Sequence, residues 1–175
     1  MRPKQAQVLV LVLIVIGGFV LMQTLRNEPL PTATETFIYD IDERAIDRVE
    51  VSHLGETQRF EWDETTARWV FDDEQRTPVS QDRWGGIPLL LSGPRVNRVL
   101  AVEQANLGRY GLDDPATVIR IDLADEQTIT VFLGIATPDG QNDYAVREGS
   151  PQIALVDRSW GEVLTRLVTE PPYGP

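Results

Sequence analysis

The only histidine of the chain is His53, and the chain has no cysteine and 27 acidic residues, so any chemistry rests on one imidazole and on carboxylates. A histidine-based zinc site needs several imidazoles, and a hydrolytic triad needs a serine and an acid that converge on the histidine. No nucleophile-elbow motif and no phosphate-binding loop motif is present. We therefore predict that the chain has no catalytic residue, no metal ligand and no bound cofactor.

Carboxylates cluster at two places, and we considered each as a ligand site. Asp113 and Asp114 are adjacent, so their side chains diverge, whereas a glycosidase needs two carboxyls about 5–9 Å apart that face one sugar. The segment TPDGQND, residues 137–143, offers oxygen atoms suited to calcium but lacks the spacing of an EF-hand loop. Pro-Asp-Gly is also a strong turn signal. Both places are therefore predicted to be turns.

The segment LGRYGLDDP, residues 107–115, combines glycine, tyrosine, arginine and aspartate in a way that resembles an active-site loop. Turn chemistry explains it without catalysis, because Gly111 can end a short helix in the left-handed conformation and Leu112 can fold back on it. Within this segment, Arg109 and Tyr110 are predicted as surface contacts. The four tryptophans of the chain suit a carbohydrate platform, but each falls on a face that we predict to be buried.

Residues 6–25 are almost entirely apolar and follow Arg2 and Lys4. Twenty helical residues rise about 30 Å, which matches the hydrocarbon core of a bilayer. Basic residues favour the cytoplasmic side, so residues 1–26 are predicted to be a membrane anchor with a short cytoplasmic N-terminus. The alternative is a secretory signal peptide cleaved near PTATET, residues 31–36, which is a poor version of a cleavage site.

The part of the chain after the anchor is strongly acidic, with 13 arginines and 27 acidic residues from Asn27 onward, a formal charge of 13 − 27 = −14. Such a charge opposes binding to nucleic acids. The predicted organisation is an extended stem over residues 27–36, an extracytoplasmic α+β domain over residues 37–170 and a tail over residues 171–175. The absence of cysteine means that the domain relies on an apolar core rather than on disulfides.

Alternating apolar residues predict eight antiparallel strands, with two or three short helices between and after them. The helix stripe at the end of the chain is the clearest, since apolar residues recur from Trp160 to Val168 at spacings of three and four. The stretches that begin at Val49 and Ile119 match as strand, acidic turn and strand, and Trp84 corresponds to Trp160. We therefore expect two related half-units, each with a strand pair and a helix.

The order of these motifs resembles a family of uncharacterised bacterial membrane-anchored domains, catalogued as a domain of unknown function. The resemblance runs from about Ile46 to Leu167, and its most specific parts are Tyr110-Gly111-Leu112-x-x-Pro115 and Leu133-Gly134 followed by Tyr144. Members are often encoded beside ABC-type permeases and gliding-motility-type auxiliary proteins. The resemblance implies a place in the bacterial plasma membrane and association with integral membrane subunits.

The first functional hypothesis is a non-catalytic, membrane-anchored accessory or scaffold subunit of a cell-envelope complex, with no small-molecule ligand. Gly17 and Gly18 then provide a small-residue notch in the anchor for a neighbouring helix. The second hypothesis is an envelope module that binds a glycan or peptide between the half-units. The third is a hydrolase that uses acidic residues.

Overall fold

The alternating segments form one antiparallel sheet of eight strands. A computed structural model describes residues 38–101, 104–150 and 152–174. The strands are β1 (Ile46–His53), β2 (Glu56–Asp63), β3 (Arg68–Phe71), β4 (Val96–Ala101), β5 (Thr117–Leu123), β6 (Thr128–Ala136), β7 (Asn142–Arg147) and β8 (Gln152–Asp157). Their order in the sheet is β3-β2-β1-β5-β6-β7-β8-β4. All eight were predicted from the alternation, which confirms the antiparallel α+β fold of the domain.

The helical segments are short except for the last one. They are α1 (Gln81–Trp84), α2 (Ile87–Leu91) and α3 (Arg158–Thr169), with 3₁₀ turns at Glu43–Ala45 and Gln104–Tyr110. Gly86, with φ +86°, separates α1 from α2, and Pro88 lies in the first turn of α2, in agreement with the irregular helix predicted from the sequence. Among the described residues, no helix combines the length and the apolar character needed to cross a bilayer. The predicted anchor at residues 6–25, with Gly17 and Gly18, lies outside the described residues.

One face of the sheet carries the main apolar core, which all three helices cover. Alternation places Val49, Val51 and Phe60 on this face, and each side chain is fully buried. The apolar stripe of α3 packs over β1, β2, β7 and β8. The indole N–H of Trp160 donates a hydrogen bond to the carbonyl oxygen of Leu90 at 3.0 Å and so ties α3 to the end of α2.

The opposite face of the sheet is divided into a polar half and an apolar half. On β1, β2 and β5 it carries exposed ion pairs, such as Arg59 with Glu50 and Arg120 with Asp122. On β6, β7 and β8 it carries a second apolar cluster, which includes Leu112, Val146 and Ile153. The 3₁₀ turn Gln104–Tyr110 borders this cluster, so the LGRYGLDDP segment is part of a packed layer.

The two strand pairs that match in sequence lie side by side. Glu50 of β1 stands directly opposite Arg120 of β5, and the flanking pairs join Val51 to Ile119 and Val49 to Ile121. In the sequence match, residues 49–51 correspond to residues 119–121. If each residue is replaced by its counterpart, the same three pairs are obtained, so the pairing is symmetric. The hairpins β1–β2 and β5–β6 are therefore related by a local twofold axis.

The helices do not follow this local symmetry. The ring of Trp84 packs against Phe60 of β2 and Trp69 of β3, with centroid distances of 4.5 and 5.2 Å. The helix that carries Trp160 lies instead across β1, β2, β7 and β8. The internal similarity thus extends to the strand pairs and not to the packing of the helices.

Candidate functional site

The LGRYGLDDP segment stops a short helix and turns the chain toward β5. Gly111 has φ +67°, a left-handed conformation that glycine adopts without a steric penalty. The N–H of Leu112 donates to the carbonyl oxygen of Leu107 at 3.1 Å, and the Leu112 side chain is buried in the second apolar cluster. This is the helix-ending geometry that the sequence predicted.

A bulge in β6 receives this segment. The pairing of β6 with β7 shifts between Leu133 and Ala136, and Gly134 lies within that shift. A Cβ on Gly134 would overlap the carbonyl oxygen of Tyr110 and would lie 3.1 Å from Cγ of Leu112. A glycine is therefore required here so that the two backbones can touch.

Tyr110 and Tyr144 lie beside this contact, and their rings are 4.8 Å apart in a tilted arrangement. We call Tyr110, Gly111, Leu112, Gly134 and Tyr144 the packing unit. Tyr110 is half-buried, and Arg109 beside it is exposed. The motif residues that carry the family resemblance are thus brought together by the fold, although they are spread from Tyr110 to Tyr144. Their arrangement explains these residue types by packing, and the proposed contact role of Arg109 and Tyr110 stays a prediction.

A family model for a domain of unknown function, DUF4340, matches residues 69–169, and this range includes the whole packing unit. The chain belongs to this family. The match begins at Trp69, so β1 and β2 lie before it. No curated protein and no solved structure shows a significant match. Membership of DUF4340 assigns neither a reaction nor a ligand to the domain.

An apolar groove of about 360 Å³ opens on the surface beside the 3₁₀ turn Glu43–Ala45. Its walls come from β2, β3 and the start of α2, and they include Trp62, Trp69 and Leu89. Leu89 is 65% exposed and Trp62 is 37% exposed. Glu43 and Arg44 stand at its edge. Large apolar side chains in an accessible groove are typical of an interaction surface.

Trp62 is held in place by a continuous set of aromatic rings. Its ring lies 6.1 Å from that of Trp69 in an edge-to-face arrangement, and Trp69 in turn packs against Trp84. Trp69, Trp84 and Trp160 are all buried, as expected for core tryptophans. Trp62 is the exception, because its side chain is 37% exposed. The accessible ring of Trp62 is therefore backed on one side by buried aromatic rings.

A second, polar groove of about 610 Å³ runs along α3 above the ends of β5, β6 and β7. Its charged residues are Asp143 on β7 and Arg158, Glu162, Arg166 and Glu170 on α3 or directly after it. Arg158 and Glu162 form an ion pair at 2.9 Å across one helical turn. The sequence patterns did not indicate this groove, because its walls come from four separate elements.

Asp143 is the unusual titratable group of the polar groove. Burial of the carboxyl raises its pKa above the ordinary value, while the nearby positive charge of Arg158 acts in the opposite direction. The neighbouring charges of Glu162 and Asp157 raise the pKa further. Among the described residues, no hydrogen bond holds this carboxylate. Within the loop 137–143, which the sequence analysis considered for calcium, Asp143 is thus the residue that faces a cavity.

The rest of that loop forms a turn. Asp139 accepts hydrogen bonds from the hydroxyl of Thr137 at 2.5 Å and from the backbone N–H of Gln141 at 3.1 Å, and these bonds lower the pKa of its carboxyl. Gly140 adopts φ +70° in the turn. No group of three or more metal-ligating side chains occurs within residues 38–101, 104–150 and 152–174.

His53 has a hydroxyl partner that the sequence did not indicate. The β1–β5 register places His53 opposite Thr117, and Nδ1 of the imidazole lies 2.8 Å from the Thr117 hydroxyl. Thr117 is buried and lines the end of the polar groove. A hydrolytic dyad needs an acid that orients the imidazole, and none of the hydrogen bonds of the described residues joins a carboxylate to His53. The pair resembles an ordinary cross-strand contact.

Asp113 and Asp114 do not form a carboxylate pair around a ligand. The N–H of Asp114 donates to Oδ1 of Asp113 at 3.0 Å, and both residues are exposed. The carboxyl of Asp113 lies against the place that a Cβ on Gly108 would occupy, at 2.9 Å. This contact closes the turn before β5, in agreement with the predicted role in the turn.

Proposed function

We propose that the protein is a non-catalytic accessory or scaffold subunit of a bacterial cell-envelope complex, anchored in the plasma membrane by residues 6–25. The apolar groove around Trp62 and Leu89 carries this proposal, because it presents to another protein an exposed aromatic ring that packs against the buried Trp69. The domain faces the extracytoplasmic side in this proposal. Its partner is an integral membrane subunit, of the kind found in ABC-type transporters.

The shape and composition of the groove favour a protein partner over a sugar. Trp62 is the accessible tryptophan among the described residues, and its ring stands edge-on to Trp69 rather than forming a flat platform with it. Leu89 and Pro88 add aliphatic surface on the other side. A partner that inserts one apolar side chain between Trp62 and Leu89 removes both from water, and such central contacts dominate binding energy.

Charge narrows the choice of partner further. The chain from Asn27 onward has a formal charge of 13 − 27 = −14, while the rim of the groove itself carries one residue of each sign, Glu43 and Arg44. A partner segment that places lysine or arginine around its apolar contact gains from this field, whereas an acidic segment is repelled. The occupant of the groove is therefore an apolar segment with basic flanks, presented by a membrane subunit.

The proposal is tested by gentle detergent extraction of membranes from cells that produce the protein naturally, followed by capture of the full chain. We expect the chain to elute with an integral membrane protein at a native mass above that of the monomer. Trp62→Ala and Leu89→Ser should each release that protein, because they remove the two exposed sides of the groove.

Leu54→Asn is the matched control, because Leu54 is 75% exposed, lies in the β1–β2 turn and does not line the groove. Its φ of +50° suits asparagine. This variant should keep the partner. Recovery of the chain alone at monomer mass, association only with further copies of the chain, or equal retention of the partner by all three variants would contradict the proposal.

A further inference from the structure

The polar groove along α3 contains a carboxylate, on Asp143, whose burial is offset only in part by the positive charge of Arg158. Asp143 is half-buried, and no hydrogen bond among the described residues compensates its loss of water. Gly161 lies directly over it, since a Cβ on Gly161 would be 2.7 Å from Oδ2 of Asp143. Glycine inside a helix costs about 1 kcal/mol relative to alanine. A Cβ on Gly161 would also lie 3.3 Å from Cδ1 of Leu133, so packing against β6 is a second reason for a glycine at this position.

The charges of the groove favour a cationic ligand. Three carboxylates, on Asp143, Glu162 and Glu170, face two guanidinium groups, on Arg158 and Arg166, so the formal sum is 2 − 3 = −1. Arg158 is engaged with Glu162. The whole domain is acidic as well, which raises the local concentration of cations. An anion would be repelled by Asp143, whose charge Arg158 offsets only in part, whereas a cation would pair with it.

The kind of cation follows from the rest of the lining. A divalent metal prefers several carboxylate or carbonyl ligands, and the described residues contain no group of three or more metal-ligating side chains. No aromatic side chain lines the groove, so stacking with a sugar is not supported there. The cation that fits this lining is therefore an ammonium or guanidinium group on a flexible chain.

The length of the groove matches a peptide. Its wall extends along α3 from Arg158 to Glu170, which corresponds to twelve helical steps of about 1.5 Å, or roughly 18 Å. An extended peptide advances about 3.3 Å per residue, so about five residues fill this length. Thr165 and Thr169 line the same wall; the Thr169 hydroxyl donates to the Thr165 carbonyl oxygen at 3.4 Å, so its oxygen is left as an acceptor for a peptide N–H.

We propose that this groove binds an extended peptide segment and that Asp143 pairs with a lysine or arginine side chain of that segment. The site is separate from the apolar groove of the proposed function, because the two grooves share no lining residue. The inference therefore stands or fails independently of the accessory role. Asp143 acts as a binding residue and takes no part in a reaction.

Isothermal titration calorimetry of the full 175-residue chain in mild detergent tests the inference. The probe is the peptide acetyl-Ala-Ala-Lys-Ala-Ala-amide, and its neutral counterpart carries norleucine in place of lysine. We expect saturable binding of the lysine peptide and binding of the norleucine peptide that is weaker by about tenfold or more. Asp143→Asn should weaken the lysine peptide to the level of the norleucine peptide.

Asp72→Asn is the matched control, because Asp72 is an exposed carboxylate that lies outside the polar groove. It removes the same charge from the domain and should leave the affinity unchanged. An equal loss in Asp72→Asn and Asp143→Asn would show attraction to the acidic surface alone and would overturn the proposal. Equal binding of the two peptides, or no binding of the lysine peptide at millimolar concentration, would overturn it too.

Discussion

The carbonyl oxygen of Tyr110 packs directly against the α-carbon of Gly134, although the two residues lie on separate elements. This contact joins the turn before β5 to the bulge in β6. It explains why a glycine occupies a strand position that would otherwise favour a β-branched or aromatic residue. The most specific motifs of the family resemblance thus describe a single backbone contact and the side chains around it.

Replacement of Gly134 by alanine should destabilise the domain. The added Cβ would overlap the Tyr110 carbonyl oxygen, so the turn must move away from β6. We expect the free energy of unfolding to fall by about 2–3 kcal/mol, as for overpacked positions with little room to relax. Urea unfolding followed by circular dichroism measures this change.

Gly174→Ala is the control for this measurement, because a Cβ at Gly174 meets no atom within 4 Å. It should leave the urea midpoint unchanged. A Gly134→Ala protein as stable as the Gly174→Ala protein would mean that the contact between Tyr110 and Gly134 does not constrain the fold.

Most of the fold follows from local patterns. The alternation of Ile119, Ile121 and Leu123 predicts both β5 and its buried face, and the stripe from Trp160 to Val168 predicts α3. Such patterns report only which face of an element is apolar. They do not show which strands pair with each other. The order β3-β2-β1-β5-β6-β7-β8-β4 could therefore not be predicted from the sequence.

The two grooves could not be predicted from local patterns either, because their walls combine residues from elements that are distant in sequence. Asp143 was visible as one of several oxygen donors in a turn, but its burial depends on α3 and Gly161, which are distant in sequence. Trp62 and Trp69 each lie on a strand face that was predicted to be buried, yet Trp62 is 37% exposed whereas Trp69 is 7% exposed. The partner of His53 depends on the register of β1 against β5.

Loss of the N-cap of α3 should cost measurable stability at neutral pH. Asp157 accepts hydrogen bonds from the backbone N–H of Ser159 at 2.8 Å and from its hydroxyl at 2.6 Å. These bonds lower the pKa of the Asp157 carboxyl, so its stabilising effect is present above the unfolded-state pKa and is lost as pH falls through the folded-state pKa. Asp157→Ala should therefore lower the free energy of unfolding by about 1 kcal/mol near pH 7.

The same experiment with Asp157→Asn separates capping from charge, because asparagine keeps the acceptor oxygen. This variant should stay close to the wild type near pH 7 and should lack the acid-dependent loss. Thermal unfolding at several pH values measures both effects. A deficit of Asp157→Ala that persists unchanged in strong acid would contradict the assigned role of the carboxylate.

The tryptophans should separate into structural and surface residues. Trp84 is buried between Phe60 and Trp69, so Trp84→Ala should lower the free energy of unfolding by about 3–5 kcal/mol. Trp62 is 37% exposed, and Trp62→Ala should cost less than half as much. Urea unfolding of both variants measures the difference. Equal costs would mean that Trp62 belongs to the core and is not available as an interaction surface.

Asp143 should destabilise the folded domain at neutral pH. Burial raises the pKa of its carboxyl above the unfolded value, and the charges of Glu162 and Asp157 add to this effect while Arg158 opposes it. The stability linked to the protonated carboxyl is fully present below the unfolded-state pKa of about 3.9 and is lost as pH rises through the folded-state pKa. Asp143→Asn cannot ionise and avoids this loss.

We therefore expect Asp143→Asn to match the wild type near pH 3.5 and to be more stable than it near pH 7. Urea unfolding at both pH values measures the difference, with Asp72→Asn as the control for removal of one negative charge from an acidic domain. A variant that is less stable than the wild type near pH 7 would mean that the attraction between Asp143 and Arg158 outweighs the cost of burying the carboxylate. The higher stability expected of Asp143→Asn near pH 7 means that the Asp143 carboxylate destabilises the folded domain. Such a cost is typical of residues that serve binding rather than stability.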